Sequence, residues 1–439
     1  MKKGLLVFSV FLMSMTALVG CAKDSGNSAT GTSDTAKKPD AAKPPEGSTS
    51  GAPKKVVLYG DIKEFPSFVP MLEKLKADFK GKYDIQTIPV DWGNLEKVVK
   101  TGIASGQPAD IYAYWPNNLK TMIDSKMVTD LTPYLDANGG EWRKQFTSML
   151  DTGKYGSQTY GVPISGVFPL IYANQDLLDK AGVKIPDNWN WEQFLDTLKQ
   201  IKEKTGVYPF GAANDQAIIL PREGLQSIGE AQNKLDELSK LQIPIADPMF
   251  TKMLENLKKL NDNDYWYPGK GALTIKRDEE QSAFYQGKVA MIGEASSLAA
   301  TVTTNSKFKV VALPVPTMGN KLAYTGSADG FMIPANAANK EAAVEIIKKL
   351  TSQEYMQIHA DAGFLVSNLN VKYTNPIVTQ IGALYKHAIT NPPGFTYVDS
   401  KIDEYFRNQL LPKLFLKGSD FKEIISDLEA LRQEALKKK

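Results

Sequence analysis

The first part of the chain is written as short apolar runs separated by amphipathic stretches. Residues 55–60 (Lys-Val-Val-Leu-Tyr-Gly), 83–90 and 108–115 are strand-length runs, and residues 69–79, 95–104 and 117–124 read as helices between and after them. Strand–helix alternation at this spacing predicts an α/β fold with a parallel, doubly wound sheet. Ligands of such sheets sit beyond the carboxyl ends of the strands, which directs attention to the loops 60–64, 91–92 and 114–118. A second α/β unit begins within residues 160–194. There Pro163 pushes Val162 into extended geometry, and an apolar strand follows at 167–172. Asn174 precedes a short helix stopped by Gly182, and Asn190 caps a longer one at 191–204. Residues 205–265 read as polar and helical. A helix at 279–287, strands at 288–294, 310–316 and 324–334, a helix at 339–352 and a helical tail from 376 complete the pattern.

Length changes this picture first: 439 residues exceed what one core usually supports, so two lobes are expected. A net charge of +3, carried by lysines dispersed along helices, does not suit a nucleic-acid binder. Two histidines, His359 and His387, and one cysteine, Cys21, argue against a His/Cys zinc site, a Cys–His dyad and a disulfide framework. Gly269-Lys270-Gly271 and Gly287-Lys288 lack the spacing of a phosphate-binding loop. Neither cofactor nor metal is expected.

Residues 1–20 have the form of a leader, with Lys2 and Lys3 ahead of an apolar run too short for a comfortable membrane span. Leu18-Val19-Gly20-Cys21 resembles the bacterial lipobox, in which cleavage leaves a lipidated cysteine; plain secretion, with Cys21 incidental, is the alternative. Residues 21–53, rich in Ser, Thr, Pro and Lys, read as a disordered tether with an end-to-end distance of about 30 Å. Such a tether would hold the folded body outside the cytoplasmic membrane, and the lysine-rich composition points to a Gram-positive cell.

Several phrases carry a resemblance. Tyr160-Gly161-Val162-Pro163, Tyr172-Ala173-Asn174-Gln175-Asp176-Leu177-Leu178, Lys180-Ala181-Gly182 and Trp189-Asn190-Trp191-Glu192-Gln193-Phe194 occur in that order. So do Asp130-Leu131-Thr132-Pro133-Tyr134-Leu135 upstream and Phe284-Tyr285-Gln286-Gly287-Lys288-Val289-Ala290-Met291 downstream. Together they resemble the extracellular solute-binding proteins of ABC importers, the maltose-binding-protein-like family. Ala173 is an insertion, Gln175 replaces a lysine, and the proline usual after Gly363-Phe364-Leu365 is absent. The resemblance implies a type II periplasmic-binding-protein fold: two α/β lobes, each a mostly parallel sheet flanked by helices, with a ligand cleft between. It places lobe 1 at 54–164 with 326–370 and lobe 2 at 165–325 with 371–439, with crossings near 163–166, 321–326 and 366–372. It further implies a monomer that binds a carbohydrate, performs no catalysis, and docks on permease subunits.

Candidate ligand residues follow from loop position and chemistry. Asp61, Glu64, Glu294 and Asp329 are loop acids able to accept paired hydrogen bonds from sugar hydroxyls, and Gly326 permits close backbone approach beside Asp329. Trp92, Trp115, Trp266, Tyr172 and Tyr397 offer flat faces suited to sugar C–H surfaces. Asn117, Ser165 and Ser296 complete the set. Trp189 and Trp191, at a helix start, read as core. Rival readings are a polysaccharide hydrolase, which would need a catalytic carboxylate pair, and a binding module serving a sensor or adhesin. The adjacent acids Glu279-Glu280 and Asp403-Glu404 lie on expected helix faces.

Overall fold

A computed structural model describes residues 52–60, 67–90, 92–106, 108–114, 119, 122–184, 188–319, 323–324, 327–385, 389–390, 395–416 and 420–437. The expected leader, Cys21 and nearly all of the tether lie outside them.

Strands β1 (Lys54–Gly60), β2 (Tyr83–Pro89) and β3 (Ile111–Tyr114) pair in parallel, with β1 in the middle. A small hairpin of β4 (Lys154–Tyr155) and β5 (Gln158–Thr159) precedes β6 (Val162–Val167) and β7 (Pro169–Asn174). Then come β8 (Met291–Ala295), β9 (Val310–Leu313), β10 (Ala323–Tyr324), β11 (Ser327–Met332), β12 (Leu365–Val366) and β13 (Ile389–Thr390). The larger sheet has the order β12-β6-β11-β3-β1-β2, a second sheet has β8-β7-β9, and β10 pairs separately with β13.

Parallel pairing is narrower than the sequence pattern suggests. In the larger sheet β11 runs antiparallel to both β3 and β6, and β12 antiparallel to β6. In the second sheet β7 is antiparallel to both neighbours. The cause is connectivity: β6, β11 and β12 adjoin passages from one sheet to the other, and a strand that leaves a sheet runs opposite to one that returns. β6 stays in the larger sheet through Val167, so the first passage is Phe168 rather than residues 163–166. A return runs from β9 to β11, and a third passage leads from β12 to the helix Pro376–Tyr385.

Each sheet has its own core. Val56, Leu58, Leu75, Ile111, Val162, Phe331 and Ile347 pack together on the larger sheet, while Leu95, Tyr112 and Met122 form a smaller cluster. Leu170, Tyr172, Phe194, Phe250, Phe284, Met291 and Phe406 belong to the core of the second. Helix Trp191–Thr205 shows how local sequence feeds that core. The Asn190 side chain accepts from the Gln193 amide at 2.9 Å, and Gln193 returns the bond to the Asn190 amide at 3.0 Å. Such a cap contributes about 1 kcal/mol. Gly206 ends the helix at φ 74°, a left-handed conformation that favours glycine. The inward face buries Trp191, Phe194, Leu198 and Ile201. Trp189 donates its indole N–H to the Pro314 carbonyl at 2.7 Å, tying this unit to the start of the return passage.

Candidate functional site

Because β1, β2 and β3 are parallel, their carboxyl ends, Gly60, Pro89 and Tyr114, share one edge of the larger sheet. Antiparallel β11 brings its amino end to that same edge: Gly330 lies opposite Tyr114, so Ser327 to Asp329 extend beyond it. Asp329 is in turn the cross-strand partner of Ser165, three residues before the passage. On the second sheet Pro169 faces Ala295 and Leu170 faces Glu294, which places the carboxyl end of β8 beside the passage. β9 is also antiparallel to β7 and ends at the same edge. Residues 208–211 run alongside β8: Ala290 donates to the Tyr208 carbonyl, and Gly211 and Gly293 are bonded in register at 2.8–2.9 Å. Their continuation, Ala213 and the turn Asn214–Ile218, therefore emerges beside Glu294 and Ser296. Two sets of strand ends thus flank Phe168.

The polar chemistry of the second edge is organised by one helix, Arg277–Tyr285. Arg277 and Gln281, one turn apart, share a face. Arg277 grips the Glu294 carboxylate with two bonds, at 2.9 and 2.5 Å, and Gln281 adds a third at 2.7 Å. Glu294 is only 1% exposed, so this pairing offsets the large cost of burying a charge. Glu280, on the same helix, is equally buried. Burial above all, reinforced by the nearby Glu294, pushes its carboxyl group up to about 8.

The residues expected at a ligand fall into three groups. Asp61, Glu64, Trp115, Asn117 and Gly326 lie outside the described residues, and of Trp92 and Tyr397 only the backbone is described, in helix Trp92–Ala104 and turn Phe395–Tyr397. Ser165, Asp329, Glu294 and Ser296 are brought together around the passage. Asp329 and Ser165 are buried, and the Ser165 hydroxyl has no hydrogen-bond partner among the described residues. Ser296 clamps the passage itself, its hydroxyl accepting from the Phe168 amide at 3.0 Å while its own amide donates to the Phe168 carbonyl at 2.8 Å.

The third group is turned inward. Tyr172 is fully buried, and its hydroxyl donates to the carbonyls of Ala295 and Ser296 at 3.1 and 3.2 Å. Burial raises its ionisation well above the ordinary phenol range, so it remains a donor to those carbonyls rather than to a ligand. Trp266, expected on an open loop, sits inside the second core with edge contacts to Phe210 and Phe415. The helix carrying Phe415 covers that loop, which the loop's own sequence does not show. Trp266 also borders a cavity of about 520 Å³, whose lining, such as Leu260, Asp264, Lys270 and Leu416, comes only from the second-sheet side. Trp189 and Trp191 are core, as their helix position suggested.

Sequence reasoning missed the Tyr208–Gly211 segment, the Arg277–Gln281–Glu294 network and buried Glu280. A four-residue apolar run containing a proline was the one local signal for the first; the others are tertiary. Among the described residues no group of three or more acidic, histidine or cysteine side chains could hold a metal ion.

A family model for bacterial extracellular solute-binding proteins matches residues 59–357. A Brucella abortus (strain 2308) protein named as a binding protein is 26% identical over 310 residues, covering 68% of this chain and 73% of its own. The fold is similar to that of a Bacillus subtilis binding protein, MsmE, solved in an open conformation: TM-score 0.75, 17% identity, covering 88% of this chain and 98% of that one. It is also similar to the GacH receptor of Streptomyces glaucescens, solved unliganded and with acarbose: TM-score 0.67, 18% identity, covering 88% and 99%. These likenesses establish the two-lobed α/β fold.

Proposed function

Because the chain belongs to the bacterial extracellular solute-binding protein family, we propose that it captures a sugar or oligosaccharide between its two lobes and delivers it to the permease of an ABC importer. The observation that carries this reading is the convergence at Phe168. The carboxyl ends of β1 to β3, with Asp329 and Ser165, face the same passage as Glu294, Ser296 and the turn after Ala213. Loops beyond such strand ends are where ligands of open α/β sheets bind.

An uncharged polyhydroxylated solute suits the chemistry. The chain has five arginines in all, and Arg277 is committed to Glu294, which leaves few guanidinium groups for paired recognition of an anion. Asp61, Glu64 and Asp329 are assigned as acceptors for sugar hydroxyls, and Trp92, Trp115 and Tyr397 as stacking faces. The similar GacH receptor was solved with acarbose and an acarbose homolog. Lobe 1 is assigned to the larger sheet, which keeps β6 through Val167, and lobe 2 to the sheet β8-β7-β9, with the first passage at Phe168. Closure about the passages buries the ligand, and it is driven by contacts that exist only in the closed state. Lipid on Cys21 tethers the monomer to the outer face of the cytoplasmic membrane.

The test is thermal unfolding of the protein with maltotriose, acarbose, raffinose, chito-oligosaccharides, polyamines and amino acids. A solute at a hundredfold its dissociation constant stabilises the native state by about 2.7 kcal/mol. Stabilisation by a carbohydrate that is recovered intact supports the proposal. Cleavage of the carbohydrate assigns a hydrolase instead, and no shift from any carbohydrate removes the substrate class.

A further inference from the structure

We propose that the Phe168 ring rests in a seat formed by Gly166 and Met149, and that this seat sets the angle between the two lobes, which makes the three residues positioning residues for the ligand cleft. The inference rests on the reading of that cleft as the ligand site. The Phe168 backbone is held by the second lobe: its N–H donates to the Ser296 hydroxyl at 3.0 Å and its carbonyl accepts from the Ser296 amide at 2.8 Å. Its buried ring lies instead against the first lobe. A Cβ built on Gly166 would sit 2.5 Å from the ring carbon Cε2 and 2.8 Å from the Met149 methyl carbon. Side chains do not approach so closely, so it is the bare face of Gly166 that lets ring and methyl group lie on β6.

Met149 is presented by the turn Ser148–Gly153, which is fastened to the larger sheet. The Met149 amide donates to the Thr147 hydroxyl at 3.3 Å, and its carbonyl accepts from the Thr152 hydroxyl at 2.7 Å. Gly153 lies so near the start of β6 that a Cβ on it would sit 2.0 Å from the Gly161 carbonyl oxygen. Leu150 packs in the core of the larger sheet, whereas its neighbour Met149 packs with Phe168 in the core of the second. Adjacent side chains of one turn thus serve both cores. The turn also meets all three passages: it packs on β6 and β11, and Thr147 at its start donates to the Ser367 carbonyl, just beyond β12, at 2.7 Å. When the lobe angle changes about Phe168, Ser296 carries the Phe168 backbone with it, and the ring must slide or lift on Gly166 and Met149. A gap of 0.5–1 Å forfeits roughly a quarter to a half of such a packing contact, so the seat favours one lobe angle over its neighbours.

The deciding experiment needs no ligand. Spin labels at Lys76→Cys and Glu255→Cys, exposed positions on helices Phe68–Asp78 and Pro248–Asp262, report the lobe-to-lobe distance in a Cys21→Ser background. Phe168→Leu keeps an apolar side chain but lacks Cε2 and Cζ, Gly166→Ala intrudes on the seat, and Met149→Ala opens it while leaving β6 untouched. Each should redistribute the distances, changing the ratio of populations about fivefold or more, the lower end of ordinary coupling between sites. Adding Gly166→Ala to Phe168→Leu should change little further, because the ring carbons that its Cβ meets are gone. The proposal is overturned if Phe168→Leu and Met149→Ala keep the wild-type distances, even with a lowered urea midpoint, since the seat then serves core stability alone. It is overturned equally if Gly166→Ala acts as strongly beside Phe168→Leu as in wild type. The dissociation constant of maltotriose, acarbose or raffinose, whichever binds, should shift by the same factor as the share of the arrangement it selects. Moved distances with unchanged affinity would break the link to the cleft and overturn the proposal. Failure of every carbohydrate to bind would refute the proposed function alone, since the ligand-free distances judge the seat separately.

Discussion

Replacing Arg277 by alanine isolates the interaction that lets an acid sit inside the second lobe. Glu294 is 1% exposed and takes two bonds from Arg277, one from Gln281 and one from the Ala295 amide. At an effective dielectric constant near 20, unit charges about 4 Å apart attract by about 4 kcal/mol. Removing one partner of a buried pair costs about 3–5 kcal/mol because the other charge is left uncompensated. Arg277 is itself 32% exposed, so solvent screens part of this and the lower end, about 3 kcal/mol, is expected. Urea unfolding reads the loss as a lowered midpoint at unchanged slope. The double variant Arg277→Ala/Glu294→Leu should recover most of it, since no charge then remains buried. A single-variant loss under about 1 kcal/mol, or a double variant no more stable than the single one, would refute the reasoning.

Three further outcomes are expected. Trp266→Ala should cost about 3–5 kcal/mol through loss of core packing while leaving carbohydrate affinity within twofold; a large affinity loss at unchanged stability would return Trp266 to the cleft. Gly211→Ala should be poorly folded because its Cβ meets Glu280 Oε1 at 2.1 Å, and pairing it with Glu280→Ala should restore solubility; a stable single variant would show that this contact relaxes freely. His359 is fully buried, bonded to the Ser67 hydroxyl at 2.6 Å, and pushed down to about 3 by burial. Its folded value lies below its unfolded value, so the stability it contributes is present above about pH 6.5 and is lost as pH falls towards 3. Glu280 has the opposite sign: its folded value is raised, so its contribution is present below about pH 4.5 and is lost as pH rises towards 8. Each amounts to about 1.4 kcal/mol per pH unit inside its window. The two slopes cancel where they overlap, and His359→Gln should expose the Glu280 slope between pH 4.5 and 6.5.

What the sequence discloses here depends on the range of the interaction that fixes each feature. Asn174, Gly182, Asn190 and Gly206 act on the backbone within four residues of themselves, and the helices they bound lie where the sequence places them. Strand direction in β6, β11 and β12 is set by connections to another sheet, and no local pattern encodes it. Glu280 reads as one of two adjacent acids on a helix face. It is buried because residues 208–213, nearly seventy positions earlier, run over it. Trp266 reads as a loop aromatic because the helix that covers it begins near residue 410. The order of the family phrases was legible because each is a local structure, whereas the side chains that meet at Phe168 come from strands far apart in the chain.

The central claim, capture of a carbohydrate by closure of two lobes, is tested most directly by a distance. Spin labels at Lys76→Cys on helix Phe68–Asp78 and Glu255→Cys on helix Pro248–Asp262, both exposed positions, report on the two lobes in a Cys21→Ser background. Addition of the carbohydrate that raises thermal stability should replace a broad distance distribution by a narrower and shorter one. An unchanged distribution at saturating, bound carbohydrate would contradict the account.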